Sequence, residues 1–430
     1  MAALLGNATR VVPVQRGLSR WRTRAAACAV AVASVIVAGC GGSGGTPTGQ
    51  ASPALPAAAT TGGAATGAGA GGAPTTGATT SSPGAACVTQ VLDGLTLAQR
   101  VGQLFVVAVD GDAVGSRLTG AEREYHFGSF LLTTSDAGTA ALAAQTASMQ
   151  RLAASSTGGV RFFIAANQEG GEIQQLTGSG FATIPSALAQ GGLSVTALRT
   201  AAAGWGTDLR AAGVNLDLAP VMDVVPSATA AGNAPIGALD REFGSTPAGN
   251  GEHGAAFIEG MADAGVATVA KHFPGLGQVA GNTDFTADVV DNVTTADSAG
   301  LNSFAAAVSA GVPMVMVALA TYTKIDPGRL AVFSPAIMRL LRGKLGFGGV
   351  IVSDDLGDAA AVQGIAAGTR ATGFLDAGGD LITSQSLAPA EQMADAVLTR
   401  ASSDSAFRAT VNAAARQVLT AKQAAGLLSC

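Results

Sequence analysis

Side chains able to do chemistry recur directly after short apolar runs along this 430-residue chain. They are Asp110, Asn167-Gln168-Glu169, Asp223, Lys271-His272, Tyr322 and Asp354-Asp355. Carboxylates, amides and an ammonium can each satisfy the hydrogens or lone pairs of a sugar hydroxyl, so the set suits a hydroxyl-rich substrate. It also supplies the carboxylate that glycosidic cleavage through a covalent intermediate requires. No CxxC pair and no zinc-type histidine spacing appears, and no metal or organic cofactor is implied.

The runs that precede these residues are eight in number: 103–109, 128–133, 161–166, 214–220, 266–270, 314–319, 349–353 and 380–383. Each is aliphatic and β-branched, the composition of a strand. Between them lie Ala-rich stretches of helical period, among them 140–153, 198–212, 251–264, 299–310, 335–345 and 358–377. Continuous apolar strands alternating with helices are buried on both faces, which predicts an α/β fold with a parallel sheet. Eight strands favour closure into a (β/α)8 TIM-type barrel, whose active site lies at the C-terminal strand ends. An open doubly wound sheet is the alternative, but no GxGxxG turn follows the first strand.

Four segments, spread from Cys87 to the end, resemble the family 3 glycoside hydrolases of the β-N-acetylhexosaminidase type. Asn167 to Gly171 (NQEGG) is similar to the family's DQEGG, and Asn215 to Asp223 (NLDLAPVMD) to its N-x-x-x-A-P-V-x-D. Lys271 to Gly277 (KHFPGLG) is similar to KHFPGHG, and Gly349 to Leu356 (GVIVSDDL) to its nucleophile segment. The resemblance implies that Asp354 is the catalytic nucleophile and that Lys271, His272, Arg241 and Asn167 bind the sugar and its substituents. Asp223 reads instead as a brace between loops. The implied reaction is retaining hydrolysis of β-glycosidic bonds, with terminal β-N-acetylglucosaminides of peptidoglycan fragments as the expected substrates.

The sequence departs from the family where the proton donor should be. Single-barrel members carry a histidine in an Asp-Ser-His or Asp-Thr-His triplet, seven residues beyond the last Gly of KHFPGHG; here the triplet is Asn282-Thr283-Asp284. Asn167 also replaces an Asp, Glu172 stands where an Arg is usual, and Leu276 and Leu319 stand where histidines are expected. In one reading Asp284 serves as acid and base, with Asn282 offering a neutral amide instead of a like charge. In the other, the barrel is a glycan-binding pseudoenzyme with a weakened site. A purely structural or adhesive lipoprotein is a third class, opposed by the retained Asp354, Lys271, His272 and Arg241.

The formal net charge of −5, with 12% charged residues, excludes a surface built to neutralise phosphates, so nucleic acid is not an expected partner. Arg10, Arg16, Arg20, Arg22 and Arg24 precede an apolar run from 25 to 37, too short for a membrane span and shaped like a signal peptide. It ends on Val37-Ala38-Gly39-Cys40, which resembles a bacterial lipobox, so Cys40 is expected to carry lipid and hold the protein at the outer face of the cytoplasmic membrane. From there to residue 86 the chain is almost wholly Gly, Ala, Ser, Thr and Pro, the composition of a flexible tether. The expected organisation is a signal peptide over 1–39, a lipidated linker over 40–86 and a monomeric barrel domain over 87–430. Cys87 and Cys430 bracket that barrel and would face an oxidising exterior, which predicts a disulfide between them.

Overall fold

The structure, a computed structural model, describes residues 83–109 and 116–430. The expected signal peptide, Cys40 and nearly all of the expected linker lie outside the described residues, as does Asp110. The linker expectation overran at its end: the first helix, Pro83–Gly94, already contains residues 83–86. Proline suits the opening turn of a helix because its fixed φ is helical and its missing N–H is not needed there.

Eight strands form one closed parallel barrel: β1 (Phe105–Val109), β2 (Ser129–Leu132), β3 (Phe163–Ala166), β4 (Leu216–Asp217), β5 (Ala267–Phe273), β6 (Met314–Val317), β7 (Val350–Asp355) and β8 (Leu381–Ser384). They follow chain order around the barrel, and β1 closes it by pairing with both neighbours, Val106 against Ser129 and Phe105 against Ile382. Residues such as Phe105, Ile164, Val269, Val315 and Ile351 are fully buried, as expected for strands covered on one side by barrel filling and on the other by helices. The fold is the (β/α)8 barrel.

A helix follows each strand: α1 (Ser116–Tyr125), α2 (Gly138–Ser156), α3 (Val195–Ala211), α4 (Pro247–Asp263), α5 (Leu301–Ser309), α6 (Pro335–Arg339, continuing in one wider turn), α7 (Ala367–Ala377) and α8 (Leu387–Ser403). Side-chain caps set several starts. The hydroxyls of Ser194, Thr246 and Ser334 accept from the backbone N–H of Ala197, Gly249 and Ile337, which satisfies donors the helix itself leaves free. The high glycine content has a packing use where α3 meets α4: a Cβ on Gly260 would lie 2.3 Å from the carbonyl oxygen of Arg199.

The N-terminal helix packs against a last helix, Ser405–Ala424. Lys422 of that helix is fully buried and donates to Gln103 Oε1 at 2.7 Å and to the Gly128 carbonyl at 2.6 Å. Cys87 and Cys430 are joined by a disulfide with Cα atoms 5.7 Å apart.

One helix is shorter than its sequence pattern. The stretch 358–377 reads as a single helix, but α7 begins at Ala367, and 358–366 is a loop with one tight turn at Ala360–Val362. The N–H groups of Ala360 and Ala361 are engaged elsewhere, on the carbonyls of Asp284 and Thr283, each at 3.1 Å. A tertiary contact has outbid local helix propensity.

Candidate active site

The C-terminal ends of β5 and β7 are irregular, and the irregularities fall on the polar residues. The β7–β8 register shifts between Val352 and Asp355, and the β5–β6 register between Ala270 and Phe273. Such bulges re-aim side chains next to active sites.

At the end of β7 two adjacent aspartates have different employment. Asp355 is buried and spoken for: Oδ1 accepts from the backbone N–H of Gly357 and Gln385 at 2.8 and 2.9 Å, and Oδ2 from Asp358 at 3.0 Å. Burial pushes its pKa up to about 6 against the pull of those bonds. Asp354 is half-buried, and its Oδ1 accepts from the Asp355 N–H at 2.8 Å. Its carboxylate therefore keeps lone pairs for a ligand in the mouth of the barrel.

At the end of β5, Lys271 and His272 are buried and joined by a cis peptide. Lys271 Nζ donates to Glu169 Oε1 at 2.7 Å and to Asn167 Oδ1 at 2.8 Å, which leaves one of its three protons for a substrate. Arg241 clasps the same Glu169 with two parallel bonds of 2.8 Å and donates to the Pro235 carbonyl at 2.7 Å. Burial alone would raise the pKa of Glu169, but Arg241 and Lys271 outweigh it and hold the carboxyl down at about 2.

Asp223 braces loops, since Oδ2 meets His272 Nδ1 at 2.8 Å while Oδ1 accepts from the Leu276 N–H at 2.8 Å. Of the His272 ring this leaves Nε2 for another partner. Tyr322, grouped with the polar ring in the sequence, does not line it: the side chain is fully buried and its hydroxyl donates to the Gly275 carbonyl at 2.9 Å. Gln168 is likewise structural, exchanging both its amide groups with the backbone of Leu176 at 2.8 and 3.0 Å.

Asp284 sits in a tight turn between β5 and α5. Asn282 Oδ1 accepts the Asp284 N–H at 2.9 Å, so the asparagine shapes the turn and does not pair with the carboxyl. The carbonyls of Thr283 and Asp284 accept from the loop after β7, so the turn is pinned to the segment that carries Asp354. Asp284 keeps access to solvent, yet protein surrounds it closely enough that desolvation raises its pKa, and the charge of Asp354 raises it further. His272, Arg241 and Lys271 pull the other way without cancelling the rise. Phe285, the next residue in the chain, is 76% exposed, whereas Leu276 is buried.

Of the sequence-predicted site residues, Asn167, Arg241, Lys271, His272, Asp284 and Asp354 thus gather at one end of the barrel through shared partners and mutual fields. Glu169, the hub between the cations, is a functional residue that sequence reasoning saw without giving it a role. Among the described residues no group of three or more His, Cys, Asp or Glu side chains is arranged to hold a metal ion.

The sequence profile described as "Glycosyl hydrolase family 3 N terminal domain" matches residues 96–421. The chain belongs to glycosyl hydrolase family 3. It is 46% identical to the β-N-acetylhexosaminidase of Beutenbergia cavernae DSM 12333, whose crystal structure superposes with a TM-score of 0.75 over 76% of this chain and 98% of that one. It is 28% identical to a family 3 β-N-acetylglucosaminidase from Paenibacillus sp. str. FPU-7, with a TM-score of 0.68 over 78% of this chain and 64% of the other. A beta-hexosaminidase of Xylella fastidiosa (strain M12) is 36% identical over 230 residues, and the match spans 51% of this chain and 65% of that relative. The family 3 match covers the whole arc from the first strand to the last helix, and all the gathered side chains fall within it.

Proposed function

We propose that this family 3 barrel is a retaining β-N-acetylhexosaminidase-like hydrolase in which Asp354 is the nucleophile and Asp284 the acid and base. The observation that carries the reading is the pairing of a half-buried carboxylate, Asp354, with a second carboxyl whose pKa is raised, first by desolvation and then by the Asp354 charge. Retaining cleavage asks for this division of labour between one ionised and one protonated carboxyl. Asp354 forms a bond to the anomeric carbon as the glycosidic bond breaks, and the departing oxygen takes its proton from Asp284. Asp284, now a carboxylate, then removes a proton from water as that water attacks the anomeric carbon and frees Asp354. Lys271 and Arg241, oriented by Glu169, hold the sugar with their remaining donors, and Asn167 and His272 add further hydrogen-bond partners.

The hexosaminidases among the similar proteins support an N-acetylglucosaminide as the substrate. Peptidoglycan fragments fit an exported protein tethered to a membrane by lipid at Cys40, which the N-terminal sequence supports. Hydrolysis of a chromogenic β-N-acetylglucosaminide, abolished in Asp354→Ala, is the expected result. Protection of the parent from thermal unfolding by N-acetylglucosamine without turnover would assign a binding protein instead, and neither signal would overturn both.

A further inference from the structure

We infer that Phe285 is the platform on which the leaving-group sugar rests, so that the preferred substrates are oligosaccharides and not glycosides of small alcohols. The inference rests on the assignment of Asp284 as the proton donor.

Phe285 is the most exposed large apolar side chain of the described residues, at 76%, while Val293 follows at 53%. Other phenylalanines, such as Phe105, Phe163 and Phe273, are fully buried. Single exposed apolar residues are common, so exposure alone carries nothing. The address of this one does. It directly follows Asp284, and the acid must reach the glycosidic oxygen, so whatever that oxygen is attached to lies against the same turn. The turn is also fixed. Phe285 and Thr286 both donate their N–H to the Asn282 carbonyl, at 3.1 and 2.8 Å, while Thr283 and Asp284 are bonded across to Ala361 and Ala360.

An aromatic side chain carried on a fixed turn, one residue from the acid, suits the apolar C–H face of a pyranose, because two χ angles are all it must order to supply a large contact area. Ala287 and Asp288, two and three residues further along the same loop, share a cavity of about 880 Å³ with Leu330, Ala361 and Ile365.

The test is calorimetric titration of the Asp354→Ala variant, which cannot turn the ligand over, with N-acetylglucosamine and with its β-1,4-linked disaccharide. Adding Phe285→Ala should weaken the disaccharide about five- to tenfold and the monosaccharide less than about twofold, with Phe285→Trp restoring the disaccharide. In the active enzyme, the same substitution should lower kcat/KM for the disaccharide and spare a glycosyl fluoride, whose leaving group has no ring and needs no proton. Equal loss on both sugars, or no loss on either, overturns the inference. A parent that turns over nothing but shows Phe285-dependent disaccharide binding would overturn the hydrolase reading and leave this subsite standing.

Discussion

Glu169 Oε1 lies 2.7 Å from Lys271 Nζ, and Arg241 clasps both oxygens of the same carboxylate. All three residues are largely withdrawn from water. Removing the shared anion would leave two cations desolvated without compensation, so Glu169→Gln is expected to destabilise the barrel by about 3 to 5 kcal/mol. The pH dependence has a definite sign. The folded pKa of Glu169, about 2, is below its ordinary 4.5, so its stabilisation is complete above about pH 4.5 and is lost as pH falls through 2. Urea midpoints measured between pH 5 and 2 should fall more steeply in the parent than in Glu169→Gln. Parallel curves would show that the carboxylate is not the hub.

Much of this arrangement was legible before the structure, and the reason is physical. Buried parallel strands are runs of β-branched and aliphatic residues, a local signal, so all eight could be read and their ends inspected for chemistry. Asp354 and Lys271 follow from that position. The role of Glu169 does not, because its partners come from 72 and 102 residues away and no spacing rule links them. The start of α7 was misread for a similar reason: 358–366 is rich in alanine, and only the distant Thr283 and Asp284 carbonyls claim the N–H groups a helix would have used.

The disulfide joining Cys87 to Cys430 closes a separation of 343 residues. Cross-linking so long a loop restricts the unfolded chain, a stabilisation of about 6 kcal/mol by loop-closure arguments before discounting residual order. Cys87→Ser is expected to lower Tm by several degrees, and reductant should lower the parent's Tm toward that of the variant. Thiol titration of the unreduced, denatured mature protein should find neither cysteine free. Two free thiols would refute the bond.

Lipidation of Cys40 is expected from the Val37 to Cys40 segment that ends the apolar run. Mass spectrometry of the membrane fraction should find a mature chain beginning at Cys40 with acyl chains attached, and Cys40→Ala should release the protein from the membrane. A mature start elsewhere, or an unmodified cysteine, counts against the anchor.

The two aspartates of the barrel mouth should separate when leaving group and pH are varied. In the proposed mechanism Asp354 makes the covalent bond, so Asp354→Ala should abolish turnover of every glycoside. Asp284, as the proposed acid, would supply a proton, which good leaving groups do not need. Asp284→Ala should therefore retain turnover of a dinitrophenyl glycoside, lose about 10²- to 10⁴-fold on substrates with poor leaving groups, and recover in part with azide. Because the carboxyl must arrive protonated, and desolvation and then Asp354 raise its pKa, the alkaline limb of kcat/KM should lie above the ordinary aspartate value of 3.8. Neutralising the neighbour reverses one of the two causes. In Asp354→Asn, the Asp284 pKa followed by NMR should fall relative to the parent, since the repelling charge is gone while Lys271, His272 and Arg241 still favour the ionised form. An Asp284→Ala variant that matches the parent on poor leaving groups would place the proton elsewhere, and an unmoved pKa would separate the two carboxyls that the mechanism couples.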